Sequence, residues 1–149
     1  MNTTYVLRSA RYILNISETK LMEIIQLGDF EVSKSDINAY LKTEDEAGYK
    51  ECPHEVMAHF LNGLIYYKRG RDQGKPPLLI ELPMTNNLIL KKLRVAFELK
   101  DIDIMALIEK SGLKISKTEL SAFFRKQGHR NYRECGDQFL RYLLKGLAG

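Results

Sequence analysis

The side chains best suited to chemistry in this sequence are of two kinds, thiols and clustered cations. Cys52 and Cys135 each close a Tyr-x-Glu-Cys stretch, Tyr49–Cys52 and Tyr132–Cys135, 83 residues apart. A thiol just ahead of a helix can be activated, because the helix N-terminus lowers its pKa. No duplicated histidine stands beside it: His54 falls at the position of Asp137, and His59 at that of Tyr142. A zinc site from Cys52, His54 and Cys135 lacks the usual closely spaced ligand pairs. The plainer reading is a small buried residue at a helix entry. The cations cluster in Arg125-Lys126-Gln127-Gly128-His129-Arg130-Asn131-Tyr132-Arg133. Cations interleaved with an aromatic ring and an amide suit phosphate contact and base stacking. Lys117, Arg125, Lys126, Arg130, Tyr132 and Arg133 are the candidate contacts. Lys91, Lys92, Arg94, Lys110 and Lys114 could extend the patch.

What positions these residues is a duplication. Slid by 83 positions, the sequence matches itself without a gap. Val32-Ser33-Lys34-Ser35-Asp36-Ile37 falls on Ile115-Ser116-Lys117-Thr118-Glu119-Leu120, and Phe60-Leu61-Asn62-Gly63-Leu64 on Leu143-Leu144-Lys145-Gly146-Leu147. An unbroken register implies one fold used twice. The expected fold is all-α: tandem units at residues 1–70 and 87–149, each of about four helices, with a linker at 71–86.

Apolar residues recur at helical spacing in the first two segments: Val6, Leu7, Ala10, Ile13 and Leu14, then Leu21, Met22, Ile24 and Ile25. Ser17 and Ser33 are N-cap candidates, and Ser116 with Glu119 makes a capping box. Gly28-Asp29 reads as a stop. Pro53 opens a fourth helix, which carries Val56, Met57, Phe60, Leu61, Leu64 and Ile65. Gly63 and Gly146 sit inside helices, at about 1 kcal/mol each relative to alanine, so something is expected to approach that face closely, another helix ahead of a ligand. Glu51 with Arg11, and Glu134 with Arg94, are expected to form a structural ion pair in each unit. In the linker, Pro76, Pro77 and Pro83 favour an extended path. Its Leu78, Leu79, Ile80 and Leu82 are expected to lie on a helical surface and join the halves, because exposed apolar patches are unusual.

The copies differ in charge. Residues 1–70 hold 8 Lys+Arg against 10 Asp+Glu, whereas residues 87–149 hold 13 against 7. The loop Lys42-Thr43-Glu44-Asp45-Glu46 is acidic where its counterpart is basic. Three readings of the basic loop stay open: solvated surface, contact with nucleic acid or another acidic partner, and pairing with the acidic loop within the chain or across a homodimer. The second and third helices also suggest a helix-turn-helix, but their connection is long for one. The outward face of the third helix, Lys34, Ser35, Asn38 and Lys42, is only mildly basic.

No Walker pattern, GxGxxG or Gly-x-Ser-x-Gly elbow is present, so nothing nominates an enzyme or a cofactor. No apolar run reaches the roughly 20 residues a membrane helix needs. The start lacks the features of a signal peptide, and two cysteines are too few for a disulfide scaffold. A cytoplasmic location with free thiols is expected.

Tyr49-Lys50-Glu51-Cys52, Phe60-Leu61-Asn62-Gly63-Leu64-Ile65 and Lys68-Arg69-Gly70 together resemble the YehS-like bacterial proteins, over nearly the whole chain. The resemblance implies a cytoplasmic protein with a duplicated domain of unknown function. It brings no activity, cofactor or catalytic residue. The second copy departs from the signature, with Leu143-Leu144-Lys145-Gly146-Leu147 and no Lys-Arg-Gly.

Overall fold

A computed structural model describes residues 1–149 and is built from α-helices and connecting loops alone. The first unit holds α1 (Thr3–Leu14), α2 (Glu18–Leu27), α3 (Lys34–Leu41) and α4 (His54–Arg69). The second holds α5 (Asn86–Ala96), α6 (Asp101–Lys110), α7 (Lys117–Phe123) and α8 (Asp137–Ala148). Side-chain oxygens mark most starts. Asn2, Ser17, Ser33, Thr85 and Ser116 each accept from main-chain amides of the first turn. Each satisfies a donor that has no partner inside its helix. Ser116 and Glu119 form the expected capping box. Asp29 and its counterpart Gly112 both adopt positive φ, 69° and 102°, which turns the chain after α2 and α6.

Packing repeats as the sequence does. α4 lies on α2 and α8 lies on α6. Gly63 explains the closeness of the first pair, because a Cβ there would sit 1.9 Å from the Ile24 carbonyl oxygen. On the facing helix, a Cβ on Gly28 would sit 1.9 Å from the His59 oxygen. In the second unit, a Cβ on Gly146 would sit 2.7 Å from the Leu107 oxygen. Ser111 replaces Gly28, and its hydroxyl donates to the Tyr142 carbonyl at 2.9 Å. The expected close helix contact is therefore present in both units, tighter in the first.

The halves are joined by a pseudo-twofold exchange of helices. α4 of the first unit packs on α5 of the second, and α8 of the second packs on α1 of the first. Equivalent surfaces thus meet across one approximate axis, as in a symmetric dimer. The ends obey the same symmetry. The Met84 amide donates to Nδ1 of His54 at the start of α4, at 2.9 Å. The Met1 amine meets Asp137 at the start of α8, also at 2.9 Å. Lys68 lies over the Phe97 ring, and Arg69 reaches Glu98 at 3.2 Å. The buried apolar side chains form one cluster containing residues of both units, from Val6 to Leu144, so neither half owns a separate core.

Two expectations need correcting. The linker is extended, but its apolar side chains stay outside: Leu79 is 77% and Leu82 55% exposed. The main chain is held instead by polar contacts. Buried Asn62 donates to the carbonyls of Leu78 and Leu79, and the Leu78 amide donates to the Tyr66 hydroxyl at 2.8 Å. Helix-on-helix packing had already joined the halves, so linker side chains were not needed for it. The proposed glutamate–arginine pairs are also absent. Arg94 pairs with Asp101 at 3.0 Å, Arg11 donates to the Ile16 carbonyl, and Glu51 and Glu134 are exposed. The local acceptor just beyond each arginine's own helix is nearer than the distant glutamate.

Candidate functional site

Each unit carries a concave surface between its third helix and the loop that follows. In the second unit it lies between α7 and residues 124–136. The loop's shape comes from main-chain bonds. His129 N–H donates to Lys126 O, Tyr132 N–H to His129 O, and Arg133 N–H to Ala122 O, at 2.9–3.1 Å. The first unit repeats the skeleton: Glu46 to Thr43, Tyr49 to Glu46, and Lys50 to Ala39. The two loops of opposite charge therefore share one backbone fold.

A second clamp fixes the loop's far end. The Cys135 amide donates to Oδ1 of Asn87 at 2.8 Å, and Asn86 donates to the Cys135 carbonyl at 3.0 Å. In the first unit Thr4 accepts from the Cys52 amide at 2.8 Å, and Thr3 donates to the Cys52 carbonyl. Two adjacent polar residues at the start of each unit's first helix thus grip both main-chain groups of the cysteine. Asn87 also donates to the carbonyls of Phe123 and Arg133, tying together α7 and the base of the basic loop.

The cysteines belong to this scaffold. Cys52 and Cys135 are buried, at 1% and 4% exposure. Burial, aided by Glu51 for Cys52 and by Asp137 for Cys135, pushes both thiols up to about 12. Such thiols stay protonated at neutral pH, the reverse of an activated nucleophile. His54 spends its Nδ1 on Met84, and no group of potential metal-binding side chains gathers around either sulfur.

The structure brings most of the expected basic residues together. Lys117, Arg125, Arg130, Tyr132 and Arg133 line one cavity of about 600 Å³. Its one acidic lining residue, Glu119, is occupied in the α7 capping box. Lys126 lies apart from this cavity and lines a neighbouring one of about 350 Å³, with Lys91, Leu82 and Phe124. Arg125 and Tyr132 line both, so they form the ridge between the two cavities. Lys117, Arg125, Lys126, Arg130 and Arg133 are exposed, and none forms an ion pair within the chain. Two residues drop out of the expected extension. Lys92 donates to Asn62, and burial lowers its pKa, while Arg94 is held by Asp101 and lies over the Phe124 ring.

The acidic loop does not meet the basic one within the chain. Glu46 accepts from the Thr43 amide and hydroxyl, and the Thr43 hydroxyl also reaches Asp45. These bonds hold both carboxyls below their ordinary range. Between α2 and α3 lie residues 28–33, longer than the turn of a helix-turn-helix. A basic–aromatic face on α1 is outside the sequence candidates: Arg8, Arg11 and Tyr12 line a cavity of about 650 Å³. Tyr12 at 74% exposure and the i, i+3, i+4 spacing of these residues were the available signal.

Fold and site together define a pseudo-symmetric tandem-repeat helical protein with a concave surface in each repeat. Comparison with known proteins refines that class. The model of a family described as "Protein of unknown function (DUF1456)" matches residues 4–70 and again residues 86–148, and the chain belongs to this family. It is 48% identical over 143 residues to "Uncharacterized protein YehS" of Escherichia coli (strain K12), covering 96% of this chain and 92% of that protein. The resemblance noted in the sequence is thereby borne out, and the two family matches coincide with the two units. No solved structure matches. No helix is long and apolar enough to cross a membrane.

Proposed function

We propose that this protein is a non-enzymatic binder of nucleic acid, RNA or DNA, taking the phosphate backbone at the α7 cleft of the second unit. One observation carries the reading. Five exposed cations, Lys117, Arg125, Lys126, Arg130 and Arg133, cluster around Tyr132 without an intramolecular carboxylate partner. Glu119 and Glu81 also line these cavities, yet neither forms an ion pair with any of the five cations. Lysine and arginine neutralise phosphates and release counterions, so binding is salt-dependent. The neighbouring cavity, which sets Phe123, Phe124 and Tyr132 among charged side chains, suits an unpaired base, because every base has a face to stack.

Titration of labelled single- and double-stranded oligonucleotides at low salt tests this. Binding in the micromolar range is expected, and it weakens steeply as salt rises. The triple charge reversal K126E/R130E/R133E abolishes it. Absence of binding at tens of micromolar, or binding indifferent to the triple reversal, refutes the proposal. The second reading, pairing of acidic and basic loops between two copies, draws on the exposed Glu44–Glu46 carboxylates that no cation engages in the chain. Sedimentation showing only monomer across salt concentrations removes it, and pull-down with and without nuclease separates the two.

A further inference from the structure

The first unit has the lower charge, yet the concave surface beside its third helix carries no acid at all. A cavity of about 500 Å³ lies between α3 and the 42–50 loop, with Lys34, Lys42 and Lys50 in its wall. Ser35 and Asn38 are the uncharged polar side chains of the same wall. Shifted by 83, the three lysines fall on Lys117, Arg125 and Arg133, the cations of the second unit's cleft. Ser35 falls on Thr118 and Asn38 on Ser121, which line that cleft too. Within the loop, Thr43-Glu44-Asp45-Glu46-Ala47 became Lys126-Gln127-Gly128-His129-Arg130, while Tyr49 stayed tyrosine at Tyr132. The acidic side chains of the first loop are therefore not in the cleft, and Asp45 and Glu46 turn to Thr43 instead.

We propose that the first unit holds a phosphate-binding cleft of its own, made by Lys34, Lys42 and Lys50 with the Ser35 hydroxyl and the Asn38 amide. The chain then grips a phosphate-bearing polymer at two pseudo-symmetric places on one body. The polymeric ligand rests on the reading of the second unit, whereas the cleft rests on its own geometry. The cations divide the work. Lys42 donates one proton to the Ala47 carbonyl at 2.8 Å, which fixes its ammonium at the mouth and leaves two donors free. Lys34 and Lys50 are exposed, form no ion pair and can close on the anion. A hydroxyl and an amide supply the remaining hydrogen bonds that a phosphate oxygen accepts.

Inorganic pyrophosphate, followed by backbone amide shifts in the whole protein, separates this site from the other. Saturable shifts are expected at residues 34–35 and 48–50, together with those at 117–118 and 131–133. K34E/K50E removes the first group and leaves the second. K34Q/K50Q weakens the first group without introducing acid, and unchanged amides elsewhere show that both variants fold. If residues 34–35 and 48–50 stay still while 117–118 and 131–133 respond, the inference is overturned and the second unit's cleft stands alone. If neither group responds, both clefts fail. A second measurement uses an oligonucleotide. K34E/K50E lowers the slope of log affinity against log salt by about 1.4 for a single strand and about 1.8 for a duplex, the values for two lost phosphate contacts. An unchanged slope refutes a contact of the polymer with the first unit.

Discussion

The main-chain amide of Cys135 donates to the side-chain oxygen of Asn87 at 2.8 Å, and 83 residues earlier the amide of Cys52 donates to the Thr4 hydroxyl at the same distance. Different side chains thus perform one task at one place. The task is to hold the end of each unit's loop against its first helix, and the cysteine supplies the small apolar body that fits beneath. In the second unit the same Asn87 reaches the Arg133 carbonyl, so the clamp also fixes the base of the basic loop.

Asn87→Ala should therefore hurt both stability and binding. It leaves the part-buried Cys135 amide and Phe123 carbonyl without their partner, and an unsatisfied buried group costs about 1–3 kcal/mol. Urea denaturation should show that loss. Oligonucleotide affinity, measured where the variant is still folded, should also fall. Thr4→Val should lower stability by a similar amount and leave the second unit's affinity alone. Equal affinity losses in the two variants would sever the link between this clamp and the α7 cleft.

The glycines predict an asymmetry. A Cβ at residue 63 would overlap the Ile24 oxygen at 1.9 Å, and one at residue 146 would press on the Leu107 oxygen at 2.7 Å. Both obstacles are backbone, so the helices must part. Overpacking of this kind costs about 1–3 kcal/mol, sometimes more. Gly63→Ala should destabilise more than Gly146→Ala, seen as a larger drop in melting temperature at about 2–4 °C per kcal/mol. The reverse order would mean the two helix crossings are not what sets the closeness.

The thiols predict loss of stability in alkali. Their folded-state pKa of about 12 lies above the ordinary 9.0, so between these values the unfolded chain releases protons that the folded chain keeps. Stability from this source is complete below about pH 9 and declines as pH rises, by about 1.4 kcal/mol per pH unit for each thiol. Cys52→Ala and Cys135→Ala should each flatten the decline above pH 9 in denaturant titrations. In the folded wild type, a thiol reagent at pH 8 should modify neither residue until denaturant is added. Rapid labelling of either cysteine under native conditions would contradict the burial.

Asn62 predicts the behaviour of the linker. It is 2% exposed, donates to two linker carbonyls, and accepts from Lys92 Nζ at 2.8 Å. Asn62→Ala should loosen residues 75–82, because it removes two of the three hydrogen bonds that hold their main chain to α4 and leaves the Leu78 amide on the Tyr66 hydroxyl. Limited proteolysis should then cut within that stretch much faster than in the wild type, with the helical core left whole. A cleavage rate unchanged by the substitution would show that the linker is held some other way.

Much of this fold was legible because duplication and capping are local signals. Ser17, Ser33 and the Ser116–Glu119 box mark helix starts by their own hydrogen bonds, and the register of 83 residues needs no contacts to be seen. The exchange of α4 and α8 between units was not legible, since apolar stripes state that a face is buried and not against what. The linker misled for a related reason. Leu79 and Leu82 look like core residues, but α4 packs directly on α5 and both leucines remain exposed. At the clefts, residue type pointed to Arg125 and Arg133. Lys34, Ser35, Asn38 and Lys42 were legible as one mildly basic helix face, whereas the place of Lys50 beside them emerged only from the shared wall, because net charge averaged these cations with acids outside that wall.

Tyr132 offers the sharpest test of what kind of nucleic acid the second unit takes. Its counterpart Tyr49 has its hydroxyl engaged by Asn2, at 3.4 Å, whereas the Tyr132 hydroxyl has no partner in the chain. Tyr132 is half-buried on the ridge between the cationic cleft and the cavity lined by Leu82 and Phe124. A base stacked on the ring would contribute about 1–3 kcal/mol, independent of salt. Tyr132→Ala should weaken single-stranded binding by roughly 5- to 150-fold, the equivalent of that range. The slope of log affinity against log salt should stay as in the wild type, because no phosphate contact is lost. Tyr132→Phe keeps the ring and should bind as the wild type does. Duplex binding should be nearly indifferent to either change, since paired bases present no free face. Loss of affinity in Tyr132→Phe, or equal losses for single strand and duplex in Tyr132→Ala, would assign the ring a packing role and leave the cations to act alone.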